Sequence, residues 1–422
     1  MERRDRPFLG VSPAPNSRVS RIWGAGARPY DPDMPGIRPE VTMGTRCTIC
    51  SRLVAIAGLA LLWAAPARAY PPDEPVKEMS ENAKAAGAMA GGHDLLVVPI
   101  PLSNPTLGSG LTLAGVMFYN PNQSPEPWIT GVGVMKTSNG SWGAGAFHSM
   151  SLDHDRFRIT GFAGYGNANI KFYGIGPHAG DRGVSVKLDE KGAGAMLQAQ
   201  MRIVKNVYIG PRYQFLDLKT TIKNPNPIFP DLNIPPFEAD SKLSQIGPVL
   251  TYDRRDNSLN PRNGELFNIQ WMFNVKALGS DFSSDKITIA GNVYRPLSKT
   301  TVLALHASVC GASKGTPFYD LCLYGMNNDL RGYEAGRYRD GATWAAQAEI
   351  RQHLFWRIGA VVFGGVGGVS PSLGHLTDTK FLPAGGGGLR FQPSRKTNVN
   401  LRLDFAVGKH SNALYFSIAE AF

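Results

Sequence analysis

The sequence predicts an all-β protein, a 16-stranded antiparallel transmembrane β-barrel. Three observations predict it. From Leu95 onward the chain alternates apolar and polar residues over segments of about ten residues. Beyond residue 69 no stretch approaches the ~18 unbroken apolar residues of a spanning helix. The first 69 residues read as an export leader, and an exported chain without a helical anchor can still span a membrane as a closed barrel.

In the leader, Arg46 and Arg52 form a basic n-region and Leu53 to Ala65 a short apolar h-region. Ala67-Arg68-Ala69 is an A-x-A cleavage site, so the mature chain is expected to start near Tyr70. The h-region is shorter than the ~20 apolar residues of a spanning helix, which favours cleavage over an uncleaved anchor. Cys47 and Cys50 precede the h-region, whereas a lipid-anchoring cysteine would follow it. Residues 1–42 are rich in Arg, Pro and Gly without periodic pattern, which makes Met43 a candidate translation start. Three regions result: leader and signal peptide over 1–69, a short Pro-rich then Ala-rich periplasmic segment over 70–94, and a barrel over 95–422.

The clearest alternating segment is 397–408. Val399, Leu401, Leu403, Phe405 and Val407 point one way, and Asn398, Asn400, Arg402 and Asp404 the other. In 267–276, Phe267, Ile269, Trp271, Phe273 and Val275 oppose Asn268, Gln270, Asn274 and Lys276. In 344–351, Trp344, Ala346, Ala348 and Ile350 alternate with Gln347, Glu349 and Arg351. A soluble β-sandwich alternates too, but its strands average about five or six residues, against the nine to eleven that cross a bilayer when tilted. Aromatics cluster near segment ends, as interfacial girdles require. The polar face carries Arg, Glu, Asp and Gln, which predicts a wet lumen. Sixteen segments follow in order, the first at about 109–119, the eleventh at about 319–325 and the last at about 412–422. An even number lets one barrel close with both ends on the periplasmic side.

Composition narrows the function. The formal charge is +11, but the leader holds ten Arg and five acidic residues, so the mature chain carries +6. That argues against nucleic-acid binding. Forty-eight glycines and only 18% charged residues are unlike an ordinary soluble domain. Cys310 and Cys322 have a spacing that suits either a cross-strand disulfide near a hairpin or two buried thiols. His148, His154, His178 and His306 lack metal-ligand spacing, and no metal or cofactor is expected. Gly385 to Gly388 read as a smooth strand passing bulky neighbours, and no enzyme active site is expected.

Three motifs carry a family resemblance. Leu330-Arg331-Gly332-Tyr333 sits in a long segment between the eleventh and twelfth alternating segments. The string YDRRDNSLNPRNGELF spans Tyr252 to Phe267, with Asp253, Arg254, Arg255 and Asp256 at its rim and turn chemistry at Asn260, Pro261 and Gly264. The chain closes on Leu414, Phe416, Ile418 and Phe422, which share one parity, with Glu420 interrupting that face near the rim. Over residues 95–422 the sequence resembles the bacterial surface antigen barrels, or outer-membrane assembly factors of the BamA/TamA type. The resemblance implies an extracellular loop folded into the barrel, with Arg331 docked on an inward carboxylate. Glu349 is the preferred partner and Asp404 the second candidate, because a confined charge needs a partner. It also implies that the barrel assembly machinery reads the terminal aromatic.

The sequence departs from the family at Gly365, which stands where the F-x-D-x-G motif has Asp, and in having about 25 residues where the assembly factors carry POTRA domains. The expected location is the outer membrane, among its lipids and lipopolysaccharide, with clients unidentified. Two functions are expected. In one, the barrel assists insertion or translocation of proteins or lipids by opening the seam between its first and last strands. In the other, it is a passive pore or structural surface antigen with a loop-plugged lumen.

Overall fold

Alternation over this chain resolves into a closed barrel in a computed structural model, which describes residues 95–122, 128–223, 239–325, 329–393 and 399–422. The expected leader and cleavage site and segment 70–94 lie outside the described residues, as do Thr397 and Asn398. The wall begins with β1 (Leu95–Asn104), β2 (Gly108–Tyr119), β3 (Trp128–Thr137), β4 (Trp142–Leu152), β5 (Phe157–Phe172) and β6 (Val186–Val204). It continues through β7 (Val207–Lys223), β8 (Asp240–Asp253), β9 (Gly264–Asn274), β10 (Asp285–Pro296) and β11 (Thr301–Ala312). After two short strands, β12 (Cys322–Tyr324) and β13 (Tyr338–Asp340), it resumes with β14 (Ala342–Phe355) and β15 (Ile358–Ser370). It ends with β16 (Leu382–Phe391), β17 (Leu401–Gly408) and β18 (Ser411–Ile418). Each wall strand pairs antiparallel with its neighbours, β11 pairs β14, and β18 meets β1 to close the ring.

Sixteen wall strands agree with the expected number, but two elements change places. Leu95–Asn104 forms β1 and was missed, because LLVVPIPLSN is apolar almost throughout and shows no period of two. Its Pro99 and Pro101 lack N–H donors and belong on a weakly paired edge, which is where β1 lies. The expected segment 319–325 is not in the wall. Its core, Cys322–Tyr324, pairs only with Tyr338–Asp340, inside the long β11–β14 connection.

The lipid face follows the alternation. Phe267, Ile269, Trp271 and Phe273 are exposed on β9, as are Leu403, Phe405 and Val407 on β17 and Ile350 on β14. Exposed aromatics stand near both rims: Phe355 and Trp356 at the rim that carries the chain ends, Trp142 and Phe381 at the opposite one. Val399 departs from its expected lipid face. It precedes β17 and is buried with Ile100, Ile418 and Ala419. The chain end departs as well. Ala419 takes φ +67°, which breaks the alternation and turns the last residues inward, so Glu420 is buried and Phe422 lies 5.2 Å from the His306 ring.

The inner wall is not uniformly wet. Its charged residues gather on β14, β16 and β17, where Glu349, Arg351, Arg390, Arg402 and Asp404 are buried rather than solvated. On β2 to β5 the inward positions include Ala114, Val116, Ile129, Phe147 and Phe162, interspersed with glycines. At the far rim, Ile170, Leu188, Leu216, Leu218 and Leu243 pack on Phe282, Phe318 and Tyr319 from two connections, forming an apolar cap.

The lipid face generates a direct test. Ile289 sits mid-strand on β10, opposite Ile269 on β9 and Val309 on β11. Ile289→Arg is expected to lower stability by about 2–4 kcal/mol, the usual penalty for a basic side chain at the bilayer midplane. Denaturant unfolding from lipid vesicles measures it; a change near zero would mean this face is not in the membrane.

Candidate functional site: a lumenal loop and its ion-pair network

The β11–β14 connection folds into the barrel and holds its own β12–β13 ladder. Cys310 on β11 and Cys322 on β12 form a disulfide, 5.8 Å between Cα atoms, which ties the start of the loop to the wall. It links wall to loop rather than two hairpin strands. Tyr324, Leu330, Tyr333 and Tyr338 pack against Ala345, Val369 and Leu382 of β14 to β16. Each tyrosine hydroxyl finds an acceptor: Tyr324 donates to the Leu382 carbonyl at 2.7 Å, Tyr333 to Pro383 at 2.6 Å and Tyr338 to Asp181 at 2.8 Å. Burial of the rings therefore leaves no orphan phenol.

At the tip, Gly332 has φ +119° and its N–H donates to the Tyr415 hydroxyl at 3.0 Å. A Cβ there would lie 3.1 Å from Ala384, Val407 and Gly408, so only glycine fits. This turn drives Arg331, 0% exposed, into the wall. Its guanidinium ion-pairs with both Glu349 on β14 and Asp404 on β17, and stacks 3.5 Å from the Phe363 ring centroid. Its Nε donates to Gln347 at 3.3 Å. Gly365, where the resembled family has Asp, would carry a Cβ 2.5 Å from Leu330, so its lack of a side chain makes room for the loop.

The network extends downward. Arg351 donates to Glu349 at 2.5 Å and to the Phe422 carbonyl oxygen at 2.9 Å. Arg390 bridges Asp404 at 2.5 Å and Glu420 at 2.7 Å, and Glu420 also accepts from Asn400 at 2.7 Å. Loop tip, three wall strands and chain end thus form one buried polar chain. Such charges stay buried only when each has partners, because desolvation alone costs several kcal/mol per ion.

A second latch lies at the far rim, outside the membrane-spanning strands. Asp181, between β5 and β6, accepts from Tyr338 of the loop, from Lys380 and from Lys409, the last at 3.0 Å. Burial pushes its carboxyl up, but these hydrogen bonds outweigh burial and hold it well below the usual carboxylate range. Nearby, Glu334 of the loop accepts from Tyr173 at 2.8 Å and Lys171 at 3.2 Å.

The 252–267 string is a turn between β8 and β9. Asp253 takes two hydrogen bonds from the Arg255 guanidinium, at 3.0 and 2.8 Å, while Asp256 caps the Arg262 amide at 3.0 Å. Tyr252 stacks on Phe267 with centroids 6.1 Å apart. Gly264 has φ +111° and lies so close to the Arg254 carbonyl that a Cβ would sit at 2.2 Å. Asn260 and Pro261 occupy the bend, and Leu259 beside them packs on the cluster of Ile100, Ile418 and Val399. The turn therefore reaches the chain ends on the other side of the barrel. Of the terminal residues, Leu414 is exposed on the lipid face, Phe416 pairs in register with Ser103 of β1, and Ile418 and Phe422 lie inward.

The Omp85 superfamily domain matches residues 104–422. The chain belongs to the Omp85 superfamily. It is an outer-membrane barrel, and its fold is similar to solved members. BamA from Haemophilus ducreyi lacking POTRA domains 1–3 superposes with a TM-score of 0.52 at 16% identity, covering 78% of this chain and 70% of that one. CdiB from Escherichia coli gives 0.56 at 12%, covering 78% and 62%. CdiB from Acinetobacter baumannii gives 0.53 at 12%, covering 77% and 60%. The chain thus spans less than two thirds of either CdiB chain. No curated protein matches it at the sequence level.

In this Omp85 barrel Arg331 meets the two acidic residues considered from sequence, Glu349 and Asp404 together. Sequence reasoning missed Phe363, Arg390, Arg402 and Glu420 as parts of the same network. Arg402 and Asp404 share parity on one strand, which was a usable signal; Arg390 follows the glycine run at the parity of Gly388, where a side chain would clash with Asp404.

Two outcomes test the site. Arg331→Ala is expected to cost about 3 kcal/mol, near the low end for breaking a buried pair, because Arg351 and Arg390 still serve the two carboxylates. Asp404→Asn should cost more, since it takes one carboxylate from Arg331, Arg390 and Arg402 at once and leaves Arg331 with Glu349 and Arg390 with Glu420. The temperature of the folded-to-unfolded gel shift reports both, and equal, unchanged shifts would remove the network's role. For the rim latch, a depressed carboxyl pKa gives stability that is present above the unfolded value near 3.9 and lost as pH falls through the folded one. Protease access to the far-rim connections should therefore stay constant from neutral pH down to about 4 and rise only in stronger acid. In Asp181→Asn it should be high throughout.

Proposed function

We propose that the barrel assists insertion or translocation of proteins or lipids at the outer membrane by parting the seam between β1 and β18. The observation that carries this is the seam's pairing. Among the described residues Ser103↔Phe416 is the one register pair across it, whereas ten join β1 to β2 and eight join β17 to β18. At about 0.5–1.5 kcal/mol net per hydrogen bond, this is the least costly place to open the wall. The similar solved barrels are BamA and CdiB; the seam reading fits insertion and translocation alike, and the client stays open.

The loop supports this reading over a passive pore. With the Arg331 tip seated on the β14 to β17 side, the loop narrows the lumen, and small unsteady currents are expected in planar bilayers rather than large steady ones. No catalytic step is part of the proposal.

The test locks the seam at its one register pair. In a Cys310→Ser, Cys322→Ser background, Ser103→Cys and Phe416→Cys are oxidised to a cross-link. Vesicles holding the protein without the lock should speed the folding of an added outer-membrane barrel. Oxidation should abolish the acceleration and reductant should restore it. Acceleration that survives the lock would overturn the seam mechanism.

A further inference from the structure

The loop fills only one side of the lumen. Between it and the inner wall of β1 to β6 lies a cavity of about 260 Å³, which also reaches β17 and β18. Its walls are largely apolar, with Ile100, Val116, Phe147 and Phe162 among them, and glycines such as Gly133, Gly145 and Gly164 leave the space open. The volume equals that of about nine liquid waters. It falls just short of the ~300–1,000 Å³ of drug-sized ligand pockets, so it suits one slender chain rather than a multi-chain lipid.

One charged residue lines this space. Arg402 is 5% exposed, and its Nε and Nη1 are themselves buried and have no hydrogen-bond partner among the described residues, so a turn of the guanidinium towards the cavity brings them to a ligand there. Its nearest carboxylate, Asp404, lies at 3.8 Å and is already engaged by Arg331 and Arg390. Of the four guanidinium groups in the buried network, Arg331 and Arg390 each hold two side-chain carboxylates, and Arg351 holds Glu349 and the Phe422 main-chain carboxyl. Arg402 is the least satisfied of the four. A buried cation with idle donors is stabilised by any anion that reaches it.

We propose that this cavity binds a single-chain amphiphile with an anionic head, the chain lying along the glycine-lined wall of β2 to β6 and the head held by Arg402. A carboxylate and a phosphate monoester share the chemistry that Arg402 recognises, since both accept paired N–H donors from guanidinium. The cavity borders the seam, since Ser103, Phe416 and Ser417 line it, but binding is measured on the unlocked chain and requires Arg402 rather than parting of the seam, so the two readings can fail independently.

The experiment uses the full chain in nanodiscs of a zwitterionic phospholipid, with decanoate, decyl phosphate and neutral decanol as probes in equilibrium dialysis. One saturable site per barrel is expected for decanoate, decyl phosphate or both, and the tighter of the two identifies the head. Arg402→Met should weaken that binding about tenfold or more, the loss of one or two charge-assisted hydrogen bonds. Gly133→Leu should abolish it by filling the chain's path, because a Cβ at Gly133 meets nothing nearer than 3.5 Å and the wall tolerates the substitution. Retained heat-modifiable gel mobility shows that each variant is folded. Absence of a saturable site in the unmodified chain, equal binding by Arg402→Met, or decanol binding as tightly as the anions would overturn the proposal. Should Arg402→Met fail to fold, unchanged binding by Gly133→Leu overturns it as well.

Discussion

A guanidinium cannot lie in a closed lumen without anions, and most of this barrel's interior is arranged around that constraint. Arg331 is completely buried, so the loop can seat only where Glu349 and Asp404 converge. Those two carboxylates stand on β14 and β17, with two strands between them in the wall, and one side chain bridges them. Around the pair every neighbour is shaped by the same demand. Phe363 offers a ring face, Gly332 supplies the turn, and Gly388 keeps clear of Asp404.

The network also divides the lumen. Charge is concentrated on the side of β14 to β17, where the loop lies, and the side of β1 to β5 is largely apolar and partly empty, with Glu190 of β6 buried beyond it. The weakly paired seam falls at the border between the two. Beneath it, Leu259 of the β8–β9 turn meets Ile100 and Ile418, so the mouth on that side is spanned from the opposite wall. The disulfide and the Asp181 latch hold the loop at its base and at the far rim. Rigid anchorage of the loop beside a weak seam is a combination in which one part of the wall can move while the rest keeps its shape.

Long alternating segments were legible because period-two burial is a local property: β9, β14 and β17 could be assigned from their own residues. β1 was not, since a strand whose residues are nearly all apolar has no alternation to read, and its prolines argue against a strand unless it lies at an edge. Cys322–Tyr324 misled for the opposite reason. It alternates, but against a partner inside its own loop. The chain end misled because a single left-handed residue, Ala419, reverses the faces that parity assigns, and so places Glu420 and Phe422 inside.

The sequence by itself determined the class of fold and most of the residues able to face lipid, because each follows from spacing along one strand; the sixteen strands it counted included one that lies in the loop and left out β1. It also singled out Arg331 and its two candidate partners, because a basic tip on a confined loop needs an acid. Only the tertiary structure decided that both partners are used at once, that four arginines share three side-chain carboxylates, and that Arg402 is left facing an apolar cavity. Those outcomes depend on shear and curvature, which set strands far apart in sequence at hydrogen-bonding distance, and no local pattern encodes that distance.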